Sequence, residues 1–249
     1  KAQHRSIIDR CVQAVYRPYI ASGYKGNAPT LTDLQAEIKK QPEPEAQELA
    51  LAAELFISGS LSIFAQKTNV DQNNRLTSYN ILDLGEQLLP MGMLVILESI
   101  YNRVIQNWRS GRRTWVFVDE FSIFFRYPFA TNFFLRMWKQ VRKRAGYMTG
   151  ITQNVGEMLT SKDACWMLAN SEFLIMLSQS ASDRAALAEL LNISDTQLSY
   201  VENADPGCGL MKFGGAFIPF VNSFPEDTEL YKLMTTKPAD REQVKPNGV

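Results

Sequence analysis

Apolar side chains recur at helical spacing from the start of the chain. Ile7, Ile8, Cys11, Val12, Val15 and Tyr19 form one stripe, which predicts a helix over 3–21 that ends near Ser22-Gly23. A loop carrying Gly and Pro runs through Pro29. Thr30 or Thr32 then caps a short helix ending at Lys40, because a Thr side chain accepts from the free N–H groups of a first turn. Gln41-Pro42-Glu43-Pro44 breaks the pattern, and 45–56, rich in Ala, Leu and Glu, predicts another helix. The stretch 1–58 reads as all helical, and 59–75 as an irregular connection.

The period changes after Thr77. Residues 79–84 predict a short buried strand. Residues 91–108 predict a long amphipathic helix with Leu94, Leu97, Tyr101, Val104 (or Ile105) and Trp108 on one face. Thr114–Val118 is a continuous apolar strand, followed by a helical, aromatic stretch over 129–144. Further strands are expected at 148–152 and 173–177, and further helices at 157–169 and 183–191. This alternation predicts an α/β fold, a parallel sheet flanked by helices. Residues 210–213 and 216–221 around Gly214-Gly215 predict a C-terminal β-hairpin. The expected organisation is a helical subdomain and connection over 1–75, a core over 76–236 and a loose tail over 237–249.

Composition narrows the chemistry. Apolar residues make up 45% of the 249 and charged residues 21%, a globular balance that argues against disorder. Lys plus Arg and Asp plus Glu are 26 each, so net charge gives no hint of a polyanionic partner and any basic surface is local. Three cysteines without a CxxC and a single histidine, His4, argue against a disulfide scaffold, structural zinc or a histidine triad. That leaves carboxylates, amides and Arg/Lys, in a reducing compartment. The longest apolar run, Leu88 to Leu97, is ten residues, against the ~20 that a membrane span requires. No signal peptide is legible, and a chain beginning at Lys1 reads as a piece of something longer.

The sharpest chemical signal is Asp119-Glu120 directly after the strand Thr114–Val118, since ligands collect beyond the carboxyl ends of parallel strands. In Walker-type NTPases the first such carboxylate orders the water shell of Mg²⁺ and the second polarises the attacking water. The competing reading is a buried strand running into a helix whose first turn favours acids. A second strand ends in Thr152-Gln153-Asn154, and a glutamine there both donates and accepts, which suits a phosphate sensor. The competing reading is a turn that caps the next helix. From Thr131 to Thr152 there is no acid, while Arg136, Lys139, Arg142, Lys143 and Arg144 are basic. Three readings stand for that patch: an arginine finger, here Arg142 or Arg144, reaching a neighbouring subunit's nucleotide; a solvated helix end; or a DNA-facing surface. No GxxxxGK[ST] occurs, so the chain lacks the usual cradle for a triphosphate and is expected to turn over no ATP alone.

The order of the segments Ser6-Ile7-Ile8-Asp9-Arg10-Cys11, Thr68-Asn69-Val70-Asp71, Val118-Asp119-Glu120, Thr152-Gln153-Asn154, Asn170-Ser171-Glu172-Phe173, Asp183-Arg184 and Gly207-Cys208-Gly209-Leu210 resembles one family. It is similar to the C-terminal ATPase domain of the VirB-type conjugation (type IV secretion) ATPases, in particular the large fourth VirB component, over residues ~5–238. The resemblance implies a RecA-like fold of the FtsK/HerA kind, Mg²⁺ and ATP as cofactors, homo-hexamers and arginines acting in trans. It also implies a phosphate loop just upstream of this chain and a helical subdomain inserted before the acidic strand. Partners would be other type IV secretion subunits at the inner face of the cytoplasmic membrane, with DNA a further possibility. On the same resemblance Asp119, Thr152 and Arg184 are the cofactor contacts, Asp119 through metal-bound water, with Glu120, Gln153, Arg142 and Arg144 catalytic. Rival readings are a non-catalytic assembly module and a DNA-pumping coupling-protein relative.

Overall fold

The computed structural model describes residues 2–67, 74–81, 84–153, 155–222 and 224–235. The motif at 68–71, Asn154 and the tail at 237–249 lie outside them. The chain divides into two compact units, Lys1–Leu89 and Pro90–Val249.

The first unit is helical. Helix α1 (Ala2–Ala21), α2 (Leu31–Ile38) and α3 (Pro44–Ile57) enclose a small core of Ile7, Cys11, Ile38, Ala46 and Ala50. Thr30 starts α2: its N–H and hydroxyl donate to the Asp33 carboxylate at 2.7 and 2.9 Å, which holds that carboxyl below its ordinary range. Pro44 occupies the first turn of α3, where its missing N–H costs nothing. Residues 79–81 form no strand, and 82–83, where the expected strand would continue, lie outside the described residues.

The second unit opens with α4 (Leu89–Arg109), whose buried stripe is Met93, Leu97 and Val104. Leu97 and Val104 lie on the expected face, but Leu94 and Trp108 are exposed, because Met93 shares the face of Leu97 and Val104 at helical spacing and takes the buried place. Strand β1 (Thr114–Val118) pairs in parallel with β2 (Gly146–Gly150), Thr114 opposite Gly146 and Val118 opposite Gly150. β2 begins two residues before the predicted 148, so 151–153 continue beyond the strand. Between them, a 3-10 turn (Phe121–Arg126) leads into α5 (Pro128–Gln140) and a basic 3-10 turn (Val141–Arg144). Their core is aromatic: Phe121 meets Phe134 edge-on at 4.9 Å and stacks on Trp138 at 5.5 Å.

The helix expected over 157–169 is two helices, α6 (Val155–Leu159) and α7 (Lys162–Ala169). The Ser161 hydroxyl starts the second by accepting from the Ala164 N–H. Strand β3 (Phe173–Met176) is not hydrogen-bonded to β2. It pairs antiparallel with β4 (Cys208–Phe213), which forms the C-terminal hairpin with β5 (Ala216–Val221). An apolar run fixes burial but not strand direction, so the extension of the parallel sheet to β3 is corrected. Helix α8 (Ala181–Leu191) packs Leu187 and Leu191 against Met176, Val201 and Leu210. Among the described residues no helix is long and apolar enough to cross a membrane.

Candidate active site

At the carboxyl end of β1, Val118 is buried, Asp119 exposed and Glu120 half-buried. Glu120 adopts φ 47°, ψ 47°, the left-handed region, which for a side chain of this kind costs about 1–3 kcal/mol and persists only when neighbours over-determine it. They do here. The Ile151 N–H donates to the Val118 carbonyl at 2.8 Å, and the Phe121 N–H returns to the Ile151 carbonyl at 2.8 Å. Gly150 completes the fit, because a Cβ there would stand 2.5 Å from the Phe121 ring. The chain is thus hooked outward between two backbone hydrogen bonds, and Glu120 is the residue at the bend.

Beyond β2, the Gln153 Nε2 donates to the Glu120 Oε1 at 3.0 Å. Two residues 33 apart, each chosen for its place after a strand, are therefore in contact. Asp119 lies beside them, its Oδ1 accepting the Glu120 N–H at 3.0 Å. Thr152 is half-buried in the same segment. An exposed carboxylate of this kind fits a divalent cation held mainly by water and phosphate, which needs one or two protein acids rather than a cage. Among the described residues no cluster of three or more His, Cys, Asp or Glu exists.

The arginines fall elsewhere. Arg142 and Arg144 precede β2, and the Thr114 N–H donates to the Ala145 carbonyl at 3.2 Å, so they sit at the amino end of the sheet. Five steps of about 3.3 Å, from Thr114 to Asp119, separate that end from the carboxylate by roughly 16 Å of strand. Arg142 is exposed, whereas Arg144 donates to Gln140 Oε1 at 3.2 Å and stands 5.5 Å from the Tyr101 ring centroid. Neither forms an ion pair with a described carboxylate. Arg184, in the first turn of α8, is on the Gln153 side: a Cβ on Gly156 would stand 3.0 Å from Asp183 Oδ1. Its guanidinium is engaged internally, with Glu202 at 2.7 Å and the Gln179 carbonyl at 3.1 Å.

Sequence reasoning passes over one pair. Arg126 Nε donates to Glu157 Oε1 at 2.7 Å, which holds the Glu157 carboxyl below its ordinary range. The two are 31 residues apart and no spacing rule links them; only the strand pairing brings them together.

No protein-family model matches this chain, and no curated protein matches it. Among solved structures, VirB4 of Thermoanaerobacter pseudethanolicus superposes with a TM-score of 0.72 at 21% identity, over 91% of this chain and 66% of that one. The chain has the VirB4 fold. The plasmid coupling protein TrwB, solved with the non-hydrolysable GTP analogue GDPNP, is similar at TM-score 0.48 and 15% identity, over 90% of this chain and 65% of that one. Set against VirB4, the chain spans just under two thirds of its length.

Proposed function

We propose that this chain supplies the water-activating and phosphate-sensing half of the nucleotide site of a type IV secretion motor ATPase. The observation that carries the reading is the 3.0 Å hydrogen bond between Gln153 and Glu120 at the carboxyl ends of two parallel strands. Glu120 polarises and deprotonates the attacking water, and the left-handed backbone aims its carboxylate away from the strand. Gln153 holds that carboxylate with its amide and senses the phosphate beyond it, since one amide both donates and accepts. Asp119 is the residue that would hold Mg²⁺, and the ion would supply charge neutralisation on the phosphates. Thr152 and Arg184 are secondary cofactor contacts, Arg184 only on release from Glu202. The triphosphate itself is held by polypeptide beyond these 249 residues, because no GxxxxGK[ST] lies within them. The assembled motor is a homo-hexamer at the cytoplasmic face of the membrane, working with other secretion subunits to drive assembly or the transfer of DNA or protein.

A second reading has its own observation. The missing phosphate loop also suits an assembly module that has the fold without turnover. Glu120→Gln, made in the protein with its phosphate loop, separates the two. The expected result is ATP binding retained and hydrolysis reduced by about 10²–10⁴-fold. Undiminished hydrolysis would remove Glu120 from its role, and absence of turnover in the parent protein would favour the module.

A further inference from the structure

We infer that Arg126 and Glu157 are a positioning pair that sets the contact between Glu120 and Gln153, an inference that rests on the reading of Glu120 above. The two loops leaving the sheet are tied in sequence outward from the strands. Nearest the sheet are the backbone bonds Ile151 to Val118 and Phe121 to Ile151. Next is the side-chain bond from Gln153 to Glu120, and beyond it the Arg126–Glu157 bridge at 2.7 Å. The inner ties fix the backbone as far as residues 121 and 151, Glu120 included. Gln153, two residues beyond them, depends on where the rest of its loop goes.

Both ends of the bridge stand on anchored backbone. Arg126 closes the 3-10 turn that buries Phe121, Ser122 and Phe124, and the Tyr127 N–H after it donates to the Phe124 carbonyl at 3.2 Å. Glu157 precedes buried Met158 in α6. The bridge therefore joins the packed turn that follows Glu120 to the helix that follows Gln153.

The test uses Arg126→Gln, Glu157→Gln and the exchange Arg126→Glu with Glu157→Arg, beside Glu120→Gln. In ¹⁵N–¹H spectra of the chain, each single variant should move the Gln153 side-chain amide signals towards those of a solvent-exposed amide, and the exchange should bring them back. In the ATP-hydrolysing protein the singles should lower kcat by about tenfold, less than the roughly 10²-fold of a full 1 Å misplacement, with KM for ATP within about twofold. The exchange should recover most of that loss. Gln153 signals unmoved in both singles would overturn the inference, as would singles with full turnover in a protein that Glu120→Gln inactivates. If Glu120→Gln itself leaves hydrolysis intact, the reading of Glu120 fails instead, and the Gln153 signals alone decide whether the pair sets the contact.

Discussion

The two ends of the β1–β2 sheet hold their charges by different means. At the carboxyl end the carboxylate of Glu120 is bonded to Gln153, the backbone beneath it is hooked by two hydrogen bonds, and the neighbouring Arg126 is paired with Glu157. At the amino end the basic residues of 109–113 and 136–144 form no ion pair with any described carboxylate. Some of them rest on aromatic faces instead: Arg136 lies 5.1 Å from the Tyr101 ring, and Lys139 lies 4.6 Å from that of Trp166. One end is arranged around its own charges; the other offers its charges outward. Roughly 16 Å of strand keeps the two ends apart, so Arg142 and Arg144 stand away from the carboxylates of their own chain. The proposed in-trans role of Arg142 or Arg144 would use that outward face.

The largest effect expected from breaking this division is at the basic end. In the hydrolysing protein, Ala in place of whichever of Arg142 and Arg144 is the finger should lower kcat by about 10³-fold or more while ATP affinity stays nearly intact. Mixed with a Glu120→Gln variant, that inactive protein should regain part of its turnover, because a mixed assembly contains interfaces with both groups. Co-assembly without any recovery, for both arginines, would return the basic end to a solvated or polyanion-facing surface.

A smaller effect is expected at the carboxyl end. Gly150→Ala places a methyl group 2.5 Å from the Phe121 ring, which is itself packed against Phe134 and Trp138. The ring has no free direction, so the variant should lose about 1–3 kcal/mol in urea unfolding. It should lose turnover as well, because Phe121 follows the strained Glu120. A variant as stable as the parent would mean that the hook under Glu120 is looser than its geometry.

How much of this was open to reading from sequence differs along the same line. Thr114–Val118 is legible to the residue, because four apolar positions after Thr114 end sharply at two acids. Gln153 is legible as a strand-end amide, although β2 itself lies two residues earlier. Gly146, whose added Cβ would stand 2.3 Å from Val141 Cγ2, marks that earlier start by packing, not by hydropathy. The direction of β3 is not legible, since Phe173–Met176 is apolar whether its partner runs with it or against it. Arg126 and Glu157 are invisible for a stronger reason. Each is an ordinary charged residue in its own segment, and only the parallel register of β1 and β2 makes them neighbours.

The smallest effect concerns how the basic end is held. Tyr101 is half-buried in α4 and has Arg136 and Arg144 over its ring at 5.1 and 5.5 Å. If these contacts orient the cations, Tyr101→Leu and Arg144→Gln should be coupled by about 0.5–1 kcal/mol in a double-mutant cycle. Tyr101→Phe should be nearly silent, because the ring face is kept and the hydroxyl takes no part in either contact. The cycle needs only urea unfolding of the four proteins, and it does not depend on any catalytic reading. Strictly additive losses would mean that Arg144 is held by Gln140 alone, and the basic end would then be an unorganised run of cations. Coupling of the expected size would make it a surface whose charges are set in place without spending a single acid on them, which is the condition for presenting them to another molecule.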